Sequence, residues 1–346
     1  MLVTLIFLKL LMPLAKRLNL VDNPGGRKHH QMSTPLVGGI AMYLAFGLGI
    51  LLLDVSLQPY RVLLIGACIL VFTGVLDDFS ELTPRFRLLV QIFCGLLMVL
   101  WGKVILMDFG NLVPLHDTHV NYAIGLIMTI CAVIGVINAV NMLDGIDGLV
   151  GSITLVQLGL LIYLALCAHL NSEAELLLIL VAAILGYLYY NFPFPWRKHA
   201  LIFMGDAGSM FLGFVMVWFM IYLSQPPHRA ASPPVFLWIM AIPLFDIGTL
   251  IIRRPLNRRS PLKADREHIH HLLQALGCSK LSIVAILSLV TLILGAIGIT
   301  ASYNQVSTRW LFVGFIVAFM IYVIAIEFFW RQLKRQRAND FGTRLS

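Results

Sequence analysis

Eleven apolar runs, each near the ~20 residues that a bilayer core requires, limit what this chain can fold into more than any other feature. They fall at roughly 1–15, 36–54, 62–76, 88–107, 121–140, 149–169, 174–194, 208–224, 234–252, 281–301 and 310–330. In lipid a segment must satisfy its own backbone polar groups, so apolar runs of this length read as helices. The expected fold is all-α: a polytopic integral membrane protein of about eleven transmembrane helices, one domain over 1–346, with a basic tail at 331–346. Composition agrees. Of 346 residues 59% are hydrophobic and 12% charged, where a soluble domain has about half and a quarter. The first run is the weakest, short and interrupted by Lys9. It lacks a basic n-region and a small-residue cleavage site, so it does not read as a signal peptide.

A net charge of +8 invites a nucleic-acid partner, but the placement of the cations argues against one. With eleven spans the loops alternate sides. One set of loops holds 20 of the 25 Lys and Arg, including Lys16, Arg17, Arg27, Lys28, Arg85, Arg87, Arg197, Lys198, the 253–280 loop and the tail. The other holds Arg61, Lys103, Arg229 and Arg309. The positive-inside rule makes the rich side cytoplasmic, with the C-terminus inside. The tail then reads as an anchor on anionic lipid. The five cysteines show no paired spacing, so neither a disulfide framework nor a thiolate metal site is indicated.

The polar residues that carry chemistry all fall on that basic side. NAVNMLDGIDG (138–148) leaves an apolar run with two asparagines, two aspartates and two glycines. Ionisable groups at a membrane edge are function candidates, and DG pairs make turns that let backbone approach a ligand. A solvated, capped inter-helix turn is the plainer alternative. LDDFSELTPRFR (76–87) sets Asp77 and Asp78 at the end of one run and Arg85 and Arg87 at the start of the next. Adjacent carboxylates repel and need a cation, a metal or a shared proton. GDAGS (205–209) puts Asp206 at a helix start, as an N-cap or beside anion-favouring N–H groups. The 253–280 loop carries DREHIHH, with His268, His270 and His271 among arginines. HExxH is absent, and imidazole and guanidinium donors suit phosphate and sugar oxygens better than zinc. Lys28 and His30 belong to a basic cluster in the 21–39 loop that serves either orientation or binding. The 108–120 loop reads as solvated, and Asp246 and Glu327 as carboxylates within runs. There is no P-loop motif and no EF-hand spacing. Several carboxylates with a cationic rim suit Mg²⁺ bridging phosphates, hence phosphoryl transfer to or from a lipid.

RKHHQMSTPLVGG (27–39), VFTGVLDDFSEL (71–82), NAVNMLDGIDGL (138–149), IFMGDAGS (202–209) and DREHIHH (265–271) together resemble the polyprenyl-phosphate N-acetylhexosamine-1-phosphate transferases over essentially the whole chain. The HIHH form and the eleven runs look like the WecA-type branch, which uses N-acetylglucosamine. The resemblance implies attack of undecaprenyl phosphate on the β-phosphorus of UDP-GlcNAc, giving undecaprenyl-pyrophosphoryl-GlcNAc and UMP. That is the first membrane step of a bacterial surface polysaccharide of O-antigen or lipopolysaccharide type, at the cytoplasmic face of the inner membrane. It also implies roles. Asp77 orients or deprotonates the lipid phosphate, and Asp78 and Asp206 form the face for Mg²⁺ (or Mn²⁺). Asn141, Asp144 and Asp147 contact nucleotide and diphosphate, Phe203 stacks on uracil, and His268, His270 and His271 meet diphosphate and sugar. Lys28 and His30 match the family's basic loop. Asn191 has no secure counterpart. The alternatives are the same chemistry on UDP-MurNAc-pentapeptide and, from another class, a secondary transporter. Gly-rich spans such as 38–49 suit packing between protomers of a homodimer.

Overall fold

The computed structural model describes residues 1–22, 33–53, 56–110, 112, 121–194, 196–197, 199–256 and 268–343. Its helices are α1 (Leu2–Arg17), α2 (Gly38–Leu51), α3 (Arg61–Ser80), α4 (Pro84–Leu100), α5 (Tyr122–Leu143), α6 (Leu149–Cys167) and α7 (Asn171–Asn191). There follow α8 (Gly205–Tyr222), α9 (Pro233–Ile239), α10 (Ala241–Leu256), α11 (Ile269–Ala275), α12 (Lys280–Tyr303) and α13 (Thr308–Thr343). A two-residue antiparallel pair, Val21–Asp22 with Thr34–Pro35, is the one sheet among the described residues. The protein is an all-α, multi-pass membrane protein, as the apolar runs predict.

The expected count of eleven spans is not confirmed by helix length and apolarity. Every run contains a helix, and among the described residues seven helices are long and apolar enough to cross alone: α3, α5, α6, α7, α8, α12 and the Thr308–Leu333 part of α13. The run at 234–252 is broken into α9 and α10, bent by 83°, and counted as one crossing it makes eight. Pro243 accounts for the break. It offers no N–H, and its ring collides with the carbonyl four residues earlier, that of Ile239, where α9 ends. α1, α2 and α4 have 16, 14 and 17 residues, short of the ~20 for a full crossing.

The bundle is built around α8, which is buried from Ala207 to Ile221. It packs against α2, α3, α5, α6 and α9. Small residues let backbones close in. A Cβ on Gly74 of α3 would run into the backbone of Ala207, and one on Gly39 of α2 into that of Gly208. Gly38 and Gly39, at the start of the Gly-rich 38–49 span, thus pack inside the chain. Gly49 likewise meets Ile179, which leaves only Gly47 of the 38–49 glycines facing open space. The 108–120 loop is not simply solvated. Asp108 is buried, accepts from Gly110 N–H at 2.6 Å and pairs with Arg229 at 2.6 Å. His116, Asp117 and His119 lie outside the described residues.

Because successive helices run in opposite directions, the C-terminal ends of α3, α5 and α7 meet the N-terminal ends of α4, α6, α8 and α12 at one end of the bundle. The polar motifs sit at those ends.

Candidate active site

Asp77 and Asp78 occupy the last turn of α3, where a carboxylate opposes the negative end of the helix dipole. Neighbours on a helix point about 100° apart, so each finds its own compensation. Asp77 faces α4: Oδ2 is 2.7 Å from Arg87 Nη1, and Oδ1 accepts the Leu82 N–H at 2.7 Å. Asp78 faces α8, and its Oδ1 accepts the Asp206 N–H at 3.0 Å. Its Oδ2 lies buried against Gly205 without a hydrogen-bond partner among the described residues. An acceptor in that state costs about 1–3 kcal/mol or more, a debt a bound cation would remove.

Asp206 lies in the first turn of α8, where the dipole favours an anion. Its Oδ1 accepts from Asn141 Nδ2, which also donates to Ser209 Oγ at 2.8 Å. Its Oδ2 is 3.7 Å from Arg87 Nη1, the same nitrogen that pairs with Asp77. Four predicted residues, Asp77, Asp78, Asn141 and Asp206, thus form one cluster with Arg87 as its cation.

The 144–148 turn is the cluster's next wall. Gly148 N–H donates to Asn191 Oδ1 at 2.7 Å, and Asn191 Nδ2 donates to the Ile202 carbonyl at 2.8 Å. Asn191, unassigned from sequence, is the buried brace between this turn and the segment entering GDAGS. Asp147 Oδ2 is 2.8 Å from Lys280 Nζ. Asp144 has no hydrogen bond to its carboxylate among the described residues. Solvent reaches it, but protein crowds the opening. That desolvation, then the charges of Asp206 and Asp147, push its carboxyl up to about 7.

This shift has a sign. The folded protein keeps a proton on Asp144 where the unfolded chain has lost it, so folding stability drops as pH rises from about 4 to about 7. Asp144→Asn removes the exchange. In thermal melts across that window with a chelator present, the melting temperature of the variant should fall less with rising pH than that of the wild type. Parallel curves would make Asp144 an ordinary carboxylate.

The three histidines part company. His268 stands at the N-cap position of α11, with Nδ1 2.7 Å from Oδ2 of the buried Asp246. His270 is only 1% exposed and packs on Gly145 of the turn. Burial first, then the neighbouring His271 and His268, pull its ring down to about 2, so it is neutral. His271 Nδ1 is 3.3 Å from Gln274 Oε1. α11 is seated on α13, where Leu272 packs with Ile326 and Leu333, flanked by Tyr322 and Trp330.

Phe203 is held through its backbone: its N–H donates to Pro35 O at 2.9 Å and its carbonyl accepts the Gly38 N–H at 3.0 Å. It thereby pins the entry of α2 beside the start of α8. Lys28 and His30 lie outside the described residues. Sequence reasoning passed over Arg87, Ser209, Lys280 and Asp246 as site residues. In the sequence Arg87 reads only as a charge, though it follows Asp77 by one short turn. Asp246 carried a signal in being a carboxylate inside an apolar run.

Fold and site together define a polytopic membrane enzyme built to handle phosphate-bearing substrates, its carboxylates gathered at one end of the bundle. Residues 60–224, which include every carboxylate of the cluster, match the model of glycosyl transferase family 4. Over 350 residues the chain is 34% identical to the undecaprenyl-phosphate alpha-N-acetylglucosaminyl 1-phosphate transferase of Salmonella typhi, covering 97% of this chain and 94% of that one. The protein of the same name from Escherichia coli (strain K12) is 34% identical over 98% and 94% of the two chains. That of Haemophilus influenzae is 34% identical over 92% and 90%. The chain belongs to this family of undecaprenyl-phosphate N-acetylglucosaminyl 1-phosphate transferases.

Proposed function

We infer that the protein transfers GlcNAc-1-phosphate from UDP-GlcNAc to undecaprenyl phosphate. An oxygen of the lipid phosphate attacks the β-phosphorus of UDP-GlcNAc, and the bond from that phosphorus to the bridging oxygen breaks. UMP leaves with the bridging oxygen, and undecaprenyl-pyrophosphoryl-GlcNAc remains. The sugar's anomeric bond is untouched. The observation that carries this reading is the cluster of Asp77, Asp78, Asn141 and Asp206, from three helices, in which Asp206 contacts Asp78 and Asn141 and Arg87 faces Asp77 and Asp206. In phosphoryl transfer the protein chiefly positions the reactants and neutralises charge, and this cluster is equipped for both.

Asp78 and Asp206 fit Mg²⁺, with Mn²⁺ as the alternative ion. No three His, Cys, Asp or Glu side chains among the described residues make a closed metal cage. Mg²⁺ needs none, since one or two carboxylates plus substrate phosphates and water suffice. Bound there, it would neutralise the diphosphate. Asp77 holds Arg87, whose guanidinium would take a phosphate oxygen, and the same carboxylate would orient the incoming lipid phosphate. Asn141 fixes Asp206. Asp144 and Asp147 wall the nucleotide diphosphate, with His268 and His271 toward its sugar side. His270 supports this wall from beneath Gly145.

The site end belongs on the cytoplasmic side of a bacterial inner membrane. Most of the chain's cations lie in the loops of that side, as the positive-inside rule requires. The product primes a surface polysaccharide of O-antigen type. Purified protein offered UDP-GlcNAc and UDP-MurNAc-pentapeptide side by side, with undecaprenyl phosphate, should release UMP from the first; preference for the second would reassign the substrate. Asp144→Asn should raise KM for UDP-GlcNAc more than KM for undecaprenyl phosphate. The reverse pattern would move Asp144 to the lipid side of the site.

A further inference from the structure

Asp246 lies in α10, five residues after its first residue Ala241, and is only 4% exposed. Both of its oxygens are directed to the start of α11. Oδ2 is 2.7 Å from His268 Nδ1, and Oδ1 accepts the Ile269 N–H at 2.9 Å. Tyr322 of α13 adds a longer hydrogen bond to Oδ1 at 3.4 Å. The residue therefore ties three elements together at one imidazole. His268 in turn lies parallel to His270, with ring centroids 5.5 Å apart and planes 4° from each other. His270 rests on Gly145, so the orientation of His268 is referred directly to the 144–148 turn.

A carboxylate at Nδ1 holds the ring proton on that nitrogen and fixes the ring plane. His268 Nε2 has no hydrogen bond among the described residues. It is the ring atom left to meet a ligand. A buried carboxylate also costs free energy unless it is paired and hydrogen-bonded. Placing one in the apolar first half of α10 does little for packing alone, whereas orientation of a polar ring requires it.

We propose that Asp246 is a positioning residue: it sets the tautomer and direction of His268 so that Nε2 meets the diphosphate–sugar portion of the nucleotide sugar. This rests on the transfer reaction inferred above. Tyr322 and the Ile269 N–H keep the carboxylate itself from turning.

The test is a double-mutant cycle on the purified full-length protein, with UDP-GlcNAc and undecaprenyl phosphate as substrates and UMP as readout. Asp246→Asn should lower kcat/KM by on the order of 10–100-fold, the range for outer partners of a functional histidine. His268→Gln should lower it at least as far. The double variant should be no worse than His268→Gln alone, because the carboxylate acts only through the ring. Multiplying losses would overturn the proposal. Nitrogen-15 shifts of histidine-labelled wild-type protein read the pairing without activity: His268 should carry its proton on Nδ1. The opposite tautomer would overturn the proposal even if Asp246→Asn fails to fold. If the wild type releases no UMP, the assigned reaction fails, while the tautomer still decides the Asp246–His268 pairing.

Discussion

Asp206→Asn should reduce UMP release from UDP-GlcNAc and undecaprenyl phosphate by about a thousandfold, the loss seen when one preorganised charge-stabilising group is removed. Its melting temperature without metal should be unchanged or higher. The amide oxygen still accepts from Asn141, and its N–H still reaches Asp78 Oδ1. What disappears is one of two carboxylates drawn to the single guanidinium of Arg87, more negative charge than that one cation neutralises. Loss of activity with retained fold separates a functional carboxylate from a capping one. An Asn variant with near-normal turnover would remove Asp206 from the reaction.

Gly205→Ala should be damaging on two counts. Gly205 has φ +68°, and a residue with a Cβ pays about 1–2 kcal/mol in that left-handed region. The new methyl would also overlap Asp78 Oδ2 and lie 3.0 Å from its Cγ. The carboxylate would have to swing off the Asp206 N–H. A fall in both melting temperature and kcat is expected, with kcat the more sensitive. Gly47→Ala is the control, since nothing lies within 4 Å of a Cβ there. Equal behaviour of the two variants would show that Gly205 serves chain flexibility rather than the seat of Asp78.

The helical class was legible because lipid leaves a long apolar segment no other regular structure, and the polar motifs stood out because each sits at the end of such a segment. Run length proved a weaker guide. α2 is only 14 residues long, and Pro243 splits a stretch that hydropathy alone reads as continuous. Within the site, Asp77, Asp78 and Asp206 were recognisable one by one, but the division of labour between them was not. That division depends on which neighbour each meets: Arg87 for Asp77, the Asp206 N–H for Asp78. The histidine motif shows the same limit. Three imidazoles within four positions looked equivalent, yet one is paired with Asp246, one is buried on Gly145 and one stands beside Gln274. None of those partners is near in sequence, except Gln274. Asp147 and Asp144, read as a pair, separate for the same reason, because Lys280 reaches only Asp147.

The enclosure of α8 also bears on how the chain is made. Its neighbours are α2, α3, α5 and α6, which precede it, and α9, which follows almost at once. A ribosome working from the N-terminus has therefore already delivered most of the walls when Gly205 emerges, and the helix that carries Asp206 can enter a socket instead of waiting in lipid with a carboxylate at its end. The His268 segment comes later still and closes onto a site whose acidic floor is already laid. Assembly order and the layering of the active site thus follow the same direction along the chain.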